Sequence, residues 1–310
     1  MFTKIKYKLA KFICKVLPPI LSQKVRASLI DLKDGEIFKE EFKVRSFTGS
    51  YFFGNTTDFH AFKFSVHGYF DWRNIIIANE VLKKFKGNII EVGANIGTET
   101  VSFSDVAKKC NKKVYAFEPV PANYELVMKN KTNNELTNLE VYPFLVSEVK
   151  GKASFKVPTK NDSGSGYIVE SQQEGNIQEF EVVTLDEIMN GNDVSFISID
   201  VEGFEHQVIK GASSLIQNFK PIMVVEVNKN YLEKRGNISV LDFYNKLEEL
   251  GYACYYISKL GIKKVDINNF EVRPNKNWVC IPFDKIKMAD KINNSIAINA
   301  LNPFFHVIHF

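Results

Sequence analysis

The chain has 310 residues, 45% of them hydrophobic and 25% charged, and a formal net charge of +4. Those values exclude disorder and low complexity, and they supply core for one large domain with additions or for two small ones. The excess charge belongs to one end. Lys4, Lys6, Lys8, Lys11, Lys15, Lys24 and Arg26 fall among the first 30 residues, which hold no acid, whereas the remaining 280 carry 33 basic and 36 acidic groups.

The basic leader predicts an amphipathic helix ended by Pro18-Pro19. Lys4, Lys8, Lys11 and Lys15 share one face, and Phe2, Ile5, Leu9, Phe12 and Val16 share another. Lysines inside the apolar part argue against a secretory segment. Two roles stay open for residues 1–30: a helix packed on its own domain, or peripheral contact with an anionic membrane surface. Phe52, Phe53, His67, Tyr69, Phe70 and Trp72 come next. Aromatics at that density read mainly as core, with a stacking wall for a sugar as the alternative. Cys14, Cys110, Cys254 and Cys280 show no C-x-x-C spacing, and the five histidines show no paired ligand spacing. The compartment therefore reads as reducing and cytoplasmic, peripheral to the membrane if the leader binds lipid.

From residue 88 onward strands and helices alternate. Strands are predicted at Asn88–Gly93, Lys113–Phe117, Leu139–Val146, Ala153–Val157, Phe180–Val183, Val194–Ile199, Ile222–Val227, Tyr252–Ile257 and Trp278–Pro282. Helices are predicted at Thr98–Lys109, Ala122–Asn133, Phe204–Asn218 and Val240–Leu250. The polar, glycine-containing stretch Lys160–Asn176 reads as a mobile loop. The four Asn and one Pro of Ile292–Phe310 exclude a membrane span there. The alternation predicts βαβ units, a mainly parallel sheet covered on both faces, and ligands beyond the carboxyl ends of its strands. The expected division is an extension over 1–70, a catalytic domain over 71–285 and a tail over 286–310.

Chemistry gathers at those strand ends. Gly93 and Gly97 let the backbone turn tightly and let a ligand approach main-chain N–H groups. Glu118 lies 21 residues beyond Gly97, where a carboxylate can hold both ribose hydroxyls. Asp200, Glu202 and Glu205 crowd the end of the Val194–Ile199 strand. The helix dipole accounts for Glu202 and Glu205, whereas Asp200 ends an apolar strand where substrates bind. Glu226 ends a neighbouring strand beside the same cleft, and His206 reads as a surface or supporting residue.

The ordered set EVGANIG (91–97), FEP (117–119), Val146-Ser147, TLDEI (184–188), IDVEGFE (199–205), KGA (210–212) and VVEV (224–227) resembles the FkbM family of S-adenosylmethionine (SAM)-dependent methyltransferases, over about residues 89–257. The resemblance implies a Rossmann-like class I methyltransferase fold, α/β, with a seven-stranded sheet whose last strand is antiparallel. It implies that Glu91, Gly93, Asn95 and Gly97 surround the methionine part of SAM, that Glu118 holds the ribose, and that Val146 and Ser147 lie beside adenine. Two departures stand out: Ser198 where many members have Lys, and Glu91 where Asp is commoner.

O-methylation of a sugar, glycan or secondary-metabolite hydroxyl is the implied reaction, with Asp200 or Glu202 orienting the hydroxyl and accepting its proton. Mg²⁺ held by the acids is the alternative, and the metal-free version is preferred because no additional ligand is identifiable. Specificity is expected in Lys160–Asn176 and the N-terminal region. Two other classes compete. An NAD-dependent oxidoreductase is disfavoured by the missing third glycine and by Glu91, and a non-catalytic membrane-associated binding protein requires the acids to be structural. A nucleic-acid partner is disfavoured by the near-neutral body.

Overall fold

A computed structural model describes residues 2–158, 161–169, 175–269 and 276–306. The leader forms two helices, α1 (Phe2–Val16) and α2 (Pro19–Leu29), broken at Pro18-Pro19 as expected. A single turn, α3 (Gly35–Phe38), leads to an antiparallel pair, β1 (Glu41–Arg45) and β2 (Tyr51–Asn55). Two helices follow, α4 (Phe59–His67) and α5 (Trp72–Lys84). Asp58 caps α4 by accepting from Ala61 N–H at 2.8 Å, and Asp71 caps α5 by accepting from Arg73 N–H at 3.0 Å.

The body then runs β3 (Asn88–Val92), α6 (Thr100–Lys109), β4 (Val114–Phe117), α7 (Pro121–Asn133), β5 (Leu139–Tyr142), β6 (Leu145–Val146), β7 (Gly151–Lys156), β8 (Tyr167–Ile168), β9 (Ile177–Val183) and α8 (Leu185–Ile188). It continues with β10 (Val194–Ile199), α9 (Glu205–Lys210), α10 (Ser213–Phe219), β11 (Ile222–Val227), α11 (Lys229–Lys234), α12 (Val240–Glu249), β12 (Tyr252–Ser258), β13 (Gly261–Lys264), β14 (Lys276–Pro282) and α13 (Met288–Ala300).

Eight strands form the main sheet in the order β13-β12-β14-β11-β10-β3-β4-β5. From β11 to β5 every pairing is parallel, and β14 runs antiparallel to both its neighbours. The seven expected strands are therefore present with an antiparallel last strand, and β13 adds an eighth at the edge through a hairpin with β12. β10 explains why parallel strands read as unbroken apolar runs: all six of its residues are buried. Phe196 enters the core shared with α5, α6 and α13, while Ile197 and Ile199 enter the core on the opposite face with α9, α10 and α12.

Two predicted elements divide. Leu139–Val146 is not one strand, because Pro143 supplies no N–H and breaks the ladder. β5 stays in the main sheet, while β6 joins a four-stranded sheet of order β6-β9-β7-β8. Phe204–Asn218 is two helices, with Gly211-Ala212 between them. Asp186 accepts from Ser214 and Leu215 N–H at 2.9 and 2.8 Å and so starts α10 afresh.

α1 packs on α4 by a face the sequence pattern did not pick. Tyr7 stacks on Phe38 and Phe62 at 4.7 and 5.3 Å, its hydroxyl meets Ser65 at 2.8 Å, and Ala10 and Cys14 are buried beside it. Ile5, Leu9, Phe12 and Val16 point to solvent. At the other end α13 buries Met288, Ile292, Ile296 and Ala300, and Phe305 stacks on Phe47 at 4.7 Å. Among the described residues no helix is long and apolar enough to cross a membrane.

Candidate active site

The chain leaves β3 toward β4 on one side, while β10 lies on the other side with Ile199 opposite Val92. Sheets of this kind bind ligands at such a reversal, outside the carboxyl ends of the strands. A cavity of about 1410 Å³ opens there. It exceeds the roughly 300–1,000 Å³ usual for one small ligand and has room for two. Strand ends of the main sheet form its floor, Val146, Phe155 and Ile168 of the smaller sheet form one wall, and residues of α4 and α5 form another.

The glycine turn sits at the centre. A side chain on Gly93 would place Cβ 1.9 Å from the Asp200 carbonyl oxygen, and its φ of +86° also requires glycine. That contact brings the two strand ends together. Asn95 takes a left-handed φ of +50°, and its N–H donates to Glu118 Oε2 at 2.8 Å. Val120 N–H donates to Glu118 Oε1 at 2.9 Å. Glu118 is thus no solvated residue: it is 5% exposed and ties the glycine turn to the start of α7. Burial raises its pKa to about 7, against the backbone donors that favour its charge. Glu91 lines the cavity with its Oε2 buried and unpartnered, and burial followed by the charges of Glu118 and Asp200 raises it to about 8.

Three carboxylates face this turn. Asp200, Glu202 and Glu226 bring one oxygen each to within 4.8 Å of one another, and all three line the cavity. Asp200 and Glu226 sit side by side, and burial, then the charges of Asp200, Glu202 and Glu205, holds the Glu226 pKa well above the usual carboxylate range. Glu202, at a left-handed φ of +58°, is fixed by Arg235, whose Nη1 lies 3.0 Å from both its carboxylate and its carbonyl oxygen. Burial and the Asp200 charge nonetheless raise Glu202 to about 8. Glu205 serves the turn, accepting from Val201 and Gly203 N–H at 3.2 and 3.1 Å.

Of the residues expected from sequence, Glu91, Gly93, Asn95, Glu118, Val146, Asp200 and Glu202 all line the cavity. Gly97 and Ser147 do not. Gly97 serves the turn at φ +85°, and Ser147 N–H donates to the Val183 carbonyl at 3.0 Å. His206 also lies outside the lining. Phe52, His67, Tyr69 and Trp72 are core, as the density argument held, and Phe70 alone of the six aromatics reaches the cavity. Of Lys160–Asn176, residues 160 and 170–174 lie outside the described residues. Ser163, Gly164, Gly166 and Ile168 line the cavity, anchored by Ser163 N–H to Asp58 at 3.0 Å and Asn123 Nδ2 to the Ser163 carbonyl at 3.1 Å.

Sequence reasoning missed several lining residues, His60, Lys63 and Glu99 among them. His60 stands near Asp200, and burial keeps its imidazole below the usual pKa and neutral at pH 7. Lys63 sits 3.9 Å above the Phe70 ring, and burial lowers its pKa while Asp71 opposes the shift. Glu99 accepts from Asn74 at 3.1 Å, and burial and Asp71 hold it well above the usual range. The boundary expected at residue 70 falls between α4 and α5, which line the same cavity.

An eight-stranded, mostly parallel sheet with a glycine turn and a buried acid at its reversal is the arrangement of a Rossmann-like class I methyltransferase fold, the class to which the matching family model assigns the chain. The Methyltransferase FkbM domain matches residues 91–254, just over half the chain. The protein belongs to the FkbM methyltransferase family. Solved structures are similar at low identity. Methyltransferase FkbM from Methylobacillus flagellatus KT is 16% identical with a TM-score of 0.42, over 71% of this chain and 53% of that one. This chain thus spans about half the length of that relative. SMU.1697c, a putative methyltransferase from Streptococcus mutans solved in complex with SAH, is 10% identical with a TM-score of 0.38, over 66% of this chain and 94% of that one. No curated protein matches the sequence.

Proposed function

We propose that the chain is a SAM-dependent methyltransferase acting on a hydroxyl of a sugar, glycan or secondary metabolite. The observation that carries this reading is one cavity, large enough for two ligands, that joins the glycine turn and Glu118 to Asp200. The lining suits SAM: the glycine turn lets the two strand ends meet at the cavity floor, and the unpartnered Glu91 Oε2 awaits a cationic donor. Glu91, Gly93 and Asn95 would hold the methionine part, Glu118 the ribose, and Val146 would lie beside the adenine. When bound, SAM supplies a methyl carbon already activated on a sulfonium, so the leaving group needs no acid.

The chain's own work is to orient the hydroxyl oxygen, exclude water and take the proton. Asp200 would accept that proton from the hydroxyl as transfer proceeds. Its raised pKa makes it a better base than an exposed aspartate, and Glu202, fixed by Arg235, orients the acceptor. A second reading also has geometric support. Glu226, which the sequence already sets beside the cleft, gives Asp200 and Glu202 a third oxygen ligand, and a divalent cation could sit among the three. Loss of turnover with EDTA and its return with Mg²⁺ would select that reading.

Titration calorimetry with SAM and NAD tests the cofactor: binding of NAD but not SAM overturns the proposal. Release of S-adenosylhomocysteine across nucleotide sugars, oligosaccharides and polyketides tests the acceptor. Turnover on amines alone would sink the O-methyl assignment.

A further inference from the structure

α1 is apolar on two opposite faces, and only one of them is used. Tyr7, Ala10 and Cys14 are buried on the rest of the chain. Ile5, Leu9, Phe12 and Val16, at the i, i+4, i+7, i+11 spacing of one helical stripe, are 54%, 46%, 67% and 54% exposed. At 100° per residue that stripe lies diametrically opposite the buried face. Lys4, Lys8 and Lys15 line one of its flanks and Lys6 the other. A folded chain rarely leaves four large apolar side chains in a row on solvent, and such a patch marks an interaction surface.

We propose that this stripe docks the protein on an anionic lipid bilayer, the four apolar side chains entering the headgroup boundary and the lysines meeting the lipid charge. Charge selects this occupant. The first 30 residues carry seven basic groups and no acid, so a second copy set stripe against stripe would bring like charges together, whereas an anionic surface complements them. Stripe and flanking lysines have the composition of interfacial helices, and α1 is too charged to span. α2 continues from α1 to the cavity mouth, where Ile20 and Gln23 lie beside Arg73 and Lys259, both of which also line the cavity. The inference does not rest on methyl transfer, because vesicle binding is read without SAM or acceptor.

The test is co-sedimentation of the full chain with phosphatidylglycerol–phosphatidylcholine vesicles against pure phosphatidylcholine vesicles. Binding is expected to the anionic vesicles and to fall with salt. Leu9→Ser with Phe12→Ser should weaken it at least roughly tenfold, and Lys8→Gln or Lys15→Gln roughly fivefold each. All four side chains are exposed, so an unchanged melting temperature verifies that these variants fold. Phe12→Trp gives an independent readout. The two native tryptophans are buried, so the new one should blue-shift its emission on anionic vesicles. The proposal is overturned by absence of sedimentation, by stripe variants that bind as the parent does, or by a dimer that the stripe variants dissolve while vesicles bind neither form.

Discussion

Glu118 holds the glycine turn and the start of α7 with separate oxygens, so its replacement is felt in both stability and cofactor affinity. Glu118→Ala leaves two backbone donors without their acceptor and removes the ribose ligand. Calorimetry should show SAM affinity lower by roughly 10- to 100-fold, the value of one charge-assisted bond or slightly more. A change below twofold would remove Glu118 from the ribose site. Asp200→Asn keeps shape and removes the base, so kcat should fall roughly 10²–10⁴-fold with little change in SAM affinity. Glu118 could be read from its distance to Gly97, and Asp200 from its place at a strand end. His60 and Lys63 could not, since no local spacing relates a residue of α4 to a strand end about 140 positions later.

The same acids set a pH dependence. Burial raises Glu91 to about 8 and Glu118 to about 7, above the 4.5 of an unfolded chain. Burial favours the neutral carboxyls in the fold, so their contribution to stability is full below pH 4.5 and is lost as pH rises through about 7 to 8. A ligand bearing a sulfonium and an ammonium favours the ionised forms, and binding it releases protons. The rise in melting temperature produced by SAM should therefore be larger at pH 8.5 than at pH 6. Equal shifts at the two pH values would show that these carboxylates do not face the cofactor's charge.

At the scale of elements, the strands were legible because a buried parallel strand is apolar throughout. Phe196 in β10 illustrates what that burial is worth: it is fully enclosed and meets Phe103 at 5.7 Å. Phe196→Ala should cost roughly 3–5 kcal/mol in denaturant unfolding; a cost under 1 kcal/mol would place the core elsewhere. Breaks were less legible than runs. Pro143 and Gly211 each sit inside an apolar stretch, and only the tertiary partners decide that one redirects a strand and the other ends a helix. α4 was invisible for the opposite reason. Ala61, Phe62, Phe64, Ser65, Val66 and His67 are buried around its whole circumference, so it carries no apolar stripe to detect. α1 carries two, and its sequence pattern shows the stripe rather than the packed face.

For the whole molecule, the uneven charge suggests a leader that can be removed without touching the cofactor site. The packing permits that only in part. Tyr7, Ala10, Cys14 and Ile30 belong to one buried cluster with Phe38, Phe62 and Val66, and α4 carries His60 and Lys63 into the cavity from the same helix. Deleting residues 1–30 uncovers several large apolar side chains at roughly 1.5–3 kcal/mol each, so the melting temperature should fall on the order of 10 °C. The expected SAM ligands all lie beyond residue 90, outside the buried cluster that α1 joins, so at temperatures well below melting the SAM affinity of the truncated chain should stay within about threefold of the parent's. Calorimetry on the truncated and full chains, alongside the stripe variants, separates the two faces of α1. Loss of the packed face should move melting temperature, and loss of the exposed face should move lipid binding alone. A large fall in SAM affinity on truncation would instead make α4, and the helix that braces it, part of the cofactor site.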